Sequence, residues 1–210
     1  QIIDSIDWTS FQKNPKWLIG FSDITVFHSH IQQNFGIPTL HATMPITFAN
    51  NTESSLENLR KVLFGETISY QIETHPFNRN GKAEAEIVGG NLSILYSLLG
   101  SESQINTDGK ILFIEDLDEY LYHIDRMIQA LKRAGMLKNL AGLIVGGMSD
   151  MNDNTIPFGK TAEEIIHDAV SEYKYPVAFG FPAGHIDDNN PIIFGEKVKF
   201  EVSKNSVLIG

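Results

Sequence analysis

The chain has 210 residues, 42% of them hydrophobic and 20% charged, the make-up of an ordinary globular protein with room for one large core or two small ones. Its 26 acidic against 16 basic side chains give a net charge of −10, which argues against nucleic acid or an anionic membrane as the main partner. No apolar run reaches the ~18 residues of a spanning helix, and without cysteine there is no disulfide, thiolate metal site or cysteine nucleophile.

The sequence opens on Gln1-Ile2-Ile3-Asp4, without methionine or a signal-peptide pattern and in mid-element, so it is expected to be a fragment. Trp17-Leu18-Ile19 reads as a strand that ends at Gly20. Ile24, Phe27, Ile31 and Phe35 then mark one face of a helix, with Asp23 as its capping residue and Gly36 as its stop. Ser22 therefore falls on a tight strand-to-helix turn, the geometry of a nucleophile elbow. There the Asp23 backbone N–H can face a developing oxyanion. The plain alternative is that Ser22 only helps to cap the helix.

A short strand leads to His41. Residues 51–63 form a helix capped by Asn51 or Thr52, with Leu56, Leu59 and Leu63 on its buried side. Ile68–Thr74 alternates like a strand, and His75–Lys82 is polar and turn-rich. Beyond it, Ala83–Val88 runs into Gly89-Gly90-Asn91 and an almost wholly apolar helix, Leu92–Leu99. The strand Ile111–Ile114 ends at Glu115-Asp116. A helix with Leu117, Leu121, Ile124, Ile128 and Leu131 on one face follows it. The strand Leu143–Val145, the helix Thr161–Tyr173 and the strand Pro176–Phe181 come next, and the last leads into Pro182-Ala183-Gly184-His185. Three short strands, at Pro191–Phe194, Lys197–Val202 and Val207–Ile209, finish the chain. This alternation makes the fold class α/β.

Apolar strands that end in a polar residue mark where α/β proteins keep their sites. Three such ends supply a nucleophile, an acid and a base in the order Ser22, Glu115, His185, and His185 is expected within hydrogen-bond reach of both others. Glu115 with Asp116 could instead place negative charge at a helix N-terminus. His28, His30, His123 and His167 sit on helices, where surface or core roles are commoner. No metal-binding or nucleotide-binding motif is present, so neither metal nor cofactor is expected.

Four segments together resemble the LD-carboxypeptidases, serine peptidase family S66. They are Asn14–Thr25 around Ser22, Val88-Gly89-Gly90-Asn91-Leu92, Leu112–Asp116 with Glu119-Tyr120 and Ile124-Asp125-Arg126, and Phe181–His185. The resemblance implies a Ser22–His185–Glu115 carboxypeptidase that releases terminal D-Ala from muropeptide tetrapeptides. It also implies a cytoplasmic location and is compatible with a homodimer. The implied fold is the remainder of a Rossmann-like N-terminal α/β domain (1–64), a linker (65–83) and a smaller C-terminal α/β domain (84–210), with the site at their interface.

The chain departs from the family in two places. The family's upstream glycine-rich segment, which helps build the oxyanion site, is not in this sequence. His41-Ala42-Thr43-Met44-Pro45 also stands where a His-Gly-Pro type turn is usual. Two other readings stay open: a microcin-immunity type that cleaves peptide–nucleotide conjugates, and a non-catalytic muropeptide binder. For the substrate carboxylate, the backbone donors after Gly90 and Asn91 are the first candidates. Arg126 is the second, with a structural ion pair as its expected role.

Overall fold

The computed structural model describes residues 2–210, which form two sheets that share the chain unevenly. The small sheet has three strands: β1 (Ile19–Gly20), β2 (Thr39–His41) and a strand from far along the chain, Ile192–Phe194. β1 and β2 are parallel, joined over a helix that follows β1. The late strand runs antiparallel to β2. A short helix, α1 (Thr9–Lys13), precedes β1. A single 3-10 turn at Ser22–Ile24 leads from β1 into α2 (Thr25–Phe35), which Gly36 ends. Asp23 makes no side-chain cap there.

α3 (Glu53–Leu63) starts as expected, with the Thr52 hydroxyl accepting from the Ser55 N–H at 3.1 Å. Its buried side is Ser55, Leu59 and Val62, and Leu63 is exposed. Of the apolar residues 56, 59 and 63, only Leu59 is buried: the helix is turned so that Leu59 and Val62 pack with Leu40 on β2 and with Ala42 just after it.

The large sheet has seven strands. Four are parallel, in the order β4 (Gly81–Asn91), β5 (Ile111–Leu117), β6 (Gly142–Ser149) and β7 (Val177–Phe179). Numbering the late strand of the small sheet β8, the chain ends in β9 (Lys197–Val202) and β10 (Val207–Ile209), which extend the large sheet antiparallel from β4. The edge beyond β10 is β3 (Tyr70–Ile72). The stretch 65–83, expected as a linker, thus supplies one strand of the large sheet and the start of another.

Helices α4 (Leu92–Ser97), α5 (Leu121–Arg133) and α6 (Ala162–Ala169) cover one face of the large sheet. α6 opens on a capping box between Thr161 and Glu164. Alternation along β5 sends Leu112 and Ile114 into that helical core and Ile111 and Phe113 into the opposite one, where Phe181, Phe194 and Phe200 gather. Leu117 belongs to β5 and is exposed, so the face of α5 starts at Leu121. Both faces of β4, β5 and β6 are covered, as a parallel sheet requires. The small sheet is held against the large one through β8 and through α2, which packs on β4.

Candidate active site

Ser22, Glu115 and His185 come from three separate places in this architecture. Ser22 is the first residue of the 3-10 turn after β1, with φ +60°, a left-handed conformation that costs a non-glycine residue about 1–2 kcal/mol. Such strain persists where surrounding structure imposes it and clusters at functional sites. It turns the chain from β1 directly into α2, and the Asp23 backbone N–H follows at the helix start, where it has no intrahelical acceptor.

Glu115 lies on β5 with its side chain fully buried. Here the β5–β6 register shifts, and the strand then ends with Asp118 in a left-handed conformation. So Glu115 and Asp116 are strand residues, not the N-terminus of α5, which begins at Leu121. His185 sits in the loop between β7 and β8, its side chain 14% exposed. The loop comes so close to β5 that a Cβ at Gly184 (φ +110°) would stand 2.6 Å from Glu115 Oε2. With no side chain at that position, His185 approaches Glu115 twice: its backbone N–H donates to Oε2 at 3.1 Å and its Nδ1 at 2.7 Å.

A carboxylate only accepts, so Nδ1 carries the proton and Nε2 keeps its lone pair. Burial alone would pull the His185 imidazole below its ordinary value. The Glu115 hydrogen bond and the negative charge of Glu115, Asp116 and Asp23 outweigh burial and raise it.

The structure joins His185 to Glu115 but not to Ser22. No hydrogen bond links the Ser22 hydroxyl and the imidazole among the described residues. The nearest tie runs through Phe21, whose ring centroid is 4.8 Å from that of His185. The two residues hang from different sheets, and only Glu115 and His185 share the large-sheet side. Contacts of this kind are commonly loose without substrate.

Gly90 and Asn91 build the seam between the two parts. Gly90 lets β4 run against the first turn of α2, and the Asn91 N–H donates to Thr25 Oγ1 at 3.0 Å. The Asn91 side chain caps α4 through the Ile94 N–H at 3.2 Å and donates to Asp116 Oδ1 at 2.9 Å. The Ser93 N–H goes to Asp116 Oδ2 at 2.9 Å. Of the donors expected to meet a substrate carboxylate at this helix end, the Ser93 N–H is thus taken by Asp116 and the Ile94 N–H by Asn91. Asp116, in turn, is pushed up to about 6 by burial and the neighbouring charge of Glu115, against the pull of the Leu117 N–H, the Asn91 amide and the Ser93 N–H.

Arg126 is not in an ion pair among the described residues; its guanidinium lies over the Tyr122 ring at 5.4 Å. No group of three or more metal-ligating side chains occurs among the described residues, and no helix there is long and apolar enough to cross a membrane. A half-open apolar hollow of about 310 Å³, lined by Trp17, Tyr70 and Phe181 among others, lies elsewhere; none of Ser22, Glu115 or His185 borders it.

Sequence reasoning assigned Thr25 no role, named Gly184 only as part of the Gly-His pair, and read Asp116 only as charge at a helix N-terminus. The glycine doublet at the end of β4 and the Gly-His pair were the available signals for close backbone approach. Nothing local announced that Asp116 would bind a helix end 23 residues earlier.

Two α/β layers carry a serine on a strained turn and a histidine held by a buried carboxylate, residue types that a serine-hydrolase site uses. Residues 84–200 match the family model for the LD-carboxypeptidase C-terminal domain, and residues 1–42 match that for the N-terminal domain. The chain belongs to the LD-carboxypeptidase family.

The probable murein peptide carboxypeptidase of Bacillus subtilis is 36% identical over 223 residues, covering 100% of this chain and 67% of that protein. The murein tetrapeptide carboxypeptidase of Pseudomonas aeruginosa is 24% identical over 96% of this chain and 68% of its own length. The chain thus spans about two thirds of these relatives. Among solved structures, a muramoyltetrapeptide carboxypeptidase from Oxalobacter formigenes superposes with a TM-score of 0.89 at 23% identity, over 99% of this chain and 73% of that one. The microcin immunity protein MccF, bound to glutamyl sulfamoyl guanosine, gives 0.85 at 20% identity over 99% and 71%. At these identities the two structures speak for the fold alone.

Proposed function

We propose that this chain carries the catalytic machinery of a serine-type LD-carboxypeptidase that removes terminal D-Ala from murein tetrapeptides. The supporting observation is the buried Glu115 carboxylate holding His185 Nδ1 at 2.7 Å, which leaves Nε2 as a free base beside the strained Ser22 turn. The names of the Bacillus and Pseudomonas relatives support the substrate class.

In this reading Ser22 Oγ attacks the scissile carbonyl carbon while His185 Nε2 takes its proton. The Asp23 N–H faces the oxyanion, and the imidazolium is steadied by Glu115. Collapse of the tetrahedral adduct breaks the C–N bond, and His185 returns the proton to the departing D-Ala amine. Water, activated by the same imidazole, then frees the acyl-enzyme. Residues 1–64 supply the nucleophile and 84–210 the acid and base, with 65–83 connecting them. A cytoplasmic location and a homodimer belong to the same proposal.

The test is release of free D-Ala from murein tetrapeptide by the protein and by Ser22→Ala. Removing the nucleophile should lower turnover by about 10⁴-fold or more. Near-normal release by Ser22→Ala would refute the assignment.

A further inference from the structure

Four buried polar atoms around the candidate site have no hydrogen-bond partner among the described residues: Glu115 Oε1, His28 Nδ1 and both ring nitrogens of His41. All three residues are 0% exposed. They come from three elements, β5, α2 and the end of β2. Its ring centroid is 6.4 Å from that of His28, 5.1 Å from Phe113 and 6.2 Å from Phe21. Phe113 precedes Glu115 by two residues and so shares its face of β5. Phe21 in turn touches His185. His41 therefore stands behind the Glu115–His185 pair, on the small-sheet side.

The protons in this group can be assigned. The Gly20 carbonyl, 2.9 Å from His28 Nε2, can only accept, so Nε2 carries the proton and Nδ1 is an acceptor. Burial pulls His28 down to about 4, against the Gly20 bond. Burial also holds His41 well below its ordinary value, helped by the charges of His28 and His185. Both rings are neutral at neutral pH, so His41 offers one N–H and one lone pair. One donor thus faces three acceptors: Glu115 Oε1, His28 Nδ1 and the second nitrogen of His41. Buried groups of this kind are satisfied in folded proteins. The shortage is of donors, and a water molecule that accepts the His41 N–H supplies two, enough for Glu115 Oε1 and His28 Nδ1 but not for the second nitrogen of His41.

We propose that His41 is a positioning residue for the catalytic histidine: through one enclosed water it gives the free oxygen of Glu115 a donor, and so fixes the carboxylate that holds His185. The proposal rests on the reading of Glu115 as the partner acid. The competing role for His41 is that of a space-filling ring between Phe113 and Phe194, which lie 5.1 and 5.4 Å away.

His41→Phe separates these roles, because it keeps a ring and removes both nitrogens; His41→Gln keeps a donor. The readout is the imidazole 1H–15N titration of His185, whose charged surroundings are Glu115, Asp116 and Asp23, with His41 beside it. When His185 is neutral, the Glu115 charge stands uncompensated and depends most on the bridging donor. Loss of that donor favours the protonated pair. In His41→Phe the His185 titration should therefore move up by about one pH unit, a tenfold change in proton affinity, and in His41→Gln it should return to the wild-type position.

An unmoved titration in a folded His41→Phe, or an equal shift in both variants, would overturn the proposal. Because the titration needs no turnover, it decides the role of His41 even where D-Ala release fails. If His41→Phe does not fold, the unaltered protein decides: a cross-peak between a long-lived water and the His41 ring protons is expected, and its absence overturns the proposal.

Discussion

Substituting Gly90 by alanine tests whether the close approach of β4 to α2 holds the two sheets in register. The new Cβ would lie 2.4 Å from Thr25 Oγ1 and 2.8 Å from Thr25 Cγ2, at a φ of +137° that side chains rarely adopt. Relieving the contact needs a shift of roughly 1 Å, since non-bonded carbon contacts settle near 3.5 Å. Backbone strain of about 1–2 kcal/mol and overpacking of about 1–3 kcal/mol add to a destabilisation of about 2–5 kcal/mol. That is a large share of the stability of an ordinary domain.

Thr25 opens α2 three residues after Ser22, so pushing it outward carries the elbow away from His185. A displacement of about 1 Å costs about 10²-fold in rate. Urea unfolding and kcat/KM on the same samples measure both effects. Thr25→Ala is the second arm of a double-mutant cycle. Alone it leaves the Asn91 N–H without its acceptor, at about 1–3 kcal/mol. Combined with Gly90→Ala it removes the two nearest clashing atoms, so the double variant should be less destabilised than the sum of the singles by about 1–2 kcal/mol. If Gly90→Ala costs under about 0.5 kcal/mol, or the two substitutions simply add, the seam is held by something else.

Glu115→Gln keeps the shape and removes the charge, so kcat should fall by about 10³- to 10⁴-fold with little change in melting temperature; full specific activity in the folded fraction would make Glu115 purely structural. His28, held near 4 by burial, takes up a proton in the unfolded chain before the folded one as pH falls, so its share of stability is complete above about 6.5 and drains away toward 4. At about 1.4 kcal/mol per unit this amounts to about 3 kcal/mol. Asp116, raised to about 6, works in the opposite sense, its burial cost easing as pH falls below 6. Urea titrations from pH 7 to 4.5 should show a flatter acid decline in His28→Phe, and an identical decline would count against this account. Arg126→Gln should change KM for a free-carboxylate substrate by less than tenfold, because the side chain is spent on Tyr122; a hundredfold rise with an unchanged melting temperature would show that the arginine reads the carboxylate.

Strand and helix alternation was legible in the sequence wherever elements were long and apolar, as in β5, α5 and β6. Ser22, Glu115 and His185 were legible as candidates because each is a polar residue beside the end of an apolar strand. What could not be read were pairings between very short strands. Thr39–His41 and Ile192–Phe194 carry three residues each, too few for a period to show, and the sheet they share is covered on both faces. The fate of the donors after Asn91 was hidden for a related reason: Asp116, which takes one of them, reaches that helix end only through the parallel pairing of β4 with β5. The burial of His41 was equally invisible, since its neighbours Phe113 and Phe194 arrive from other parts of the chain.

The pairing of β2 with β8 also governs when a site can exist during synthesis. The small sheet is incomplete until residues 192–194 have left the ribosome, and the edge at β3 waits still longer for residues 207–209. Closures of such long loops are entropically costly and slow, and they come after the local helices have formed. A nascent chain can therefore expose the Ser22 turn and the Glu115 strand long before His185 reaches Glu115. The small sheet therefore closes only after β8 is available, and chains cut short before β8 should be unstable.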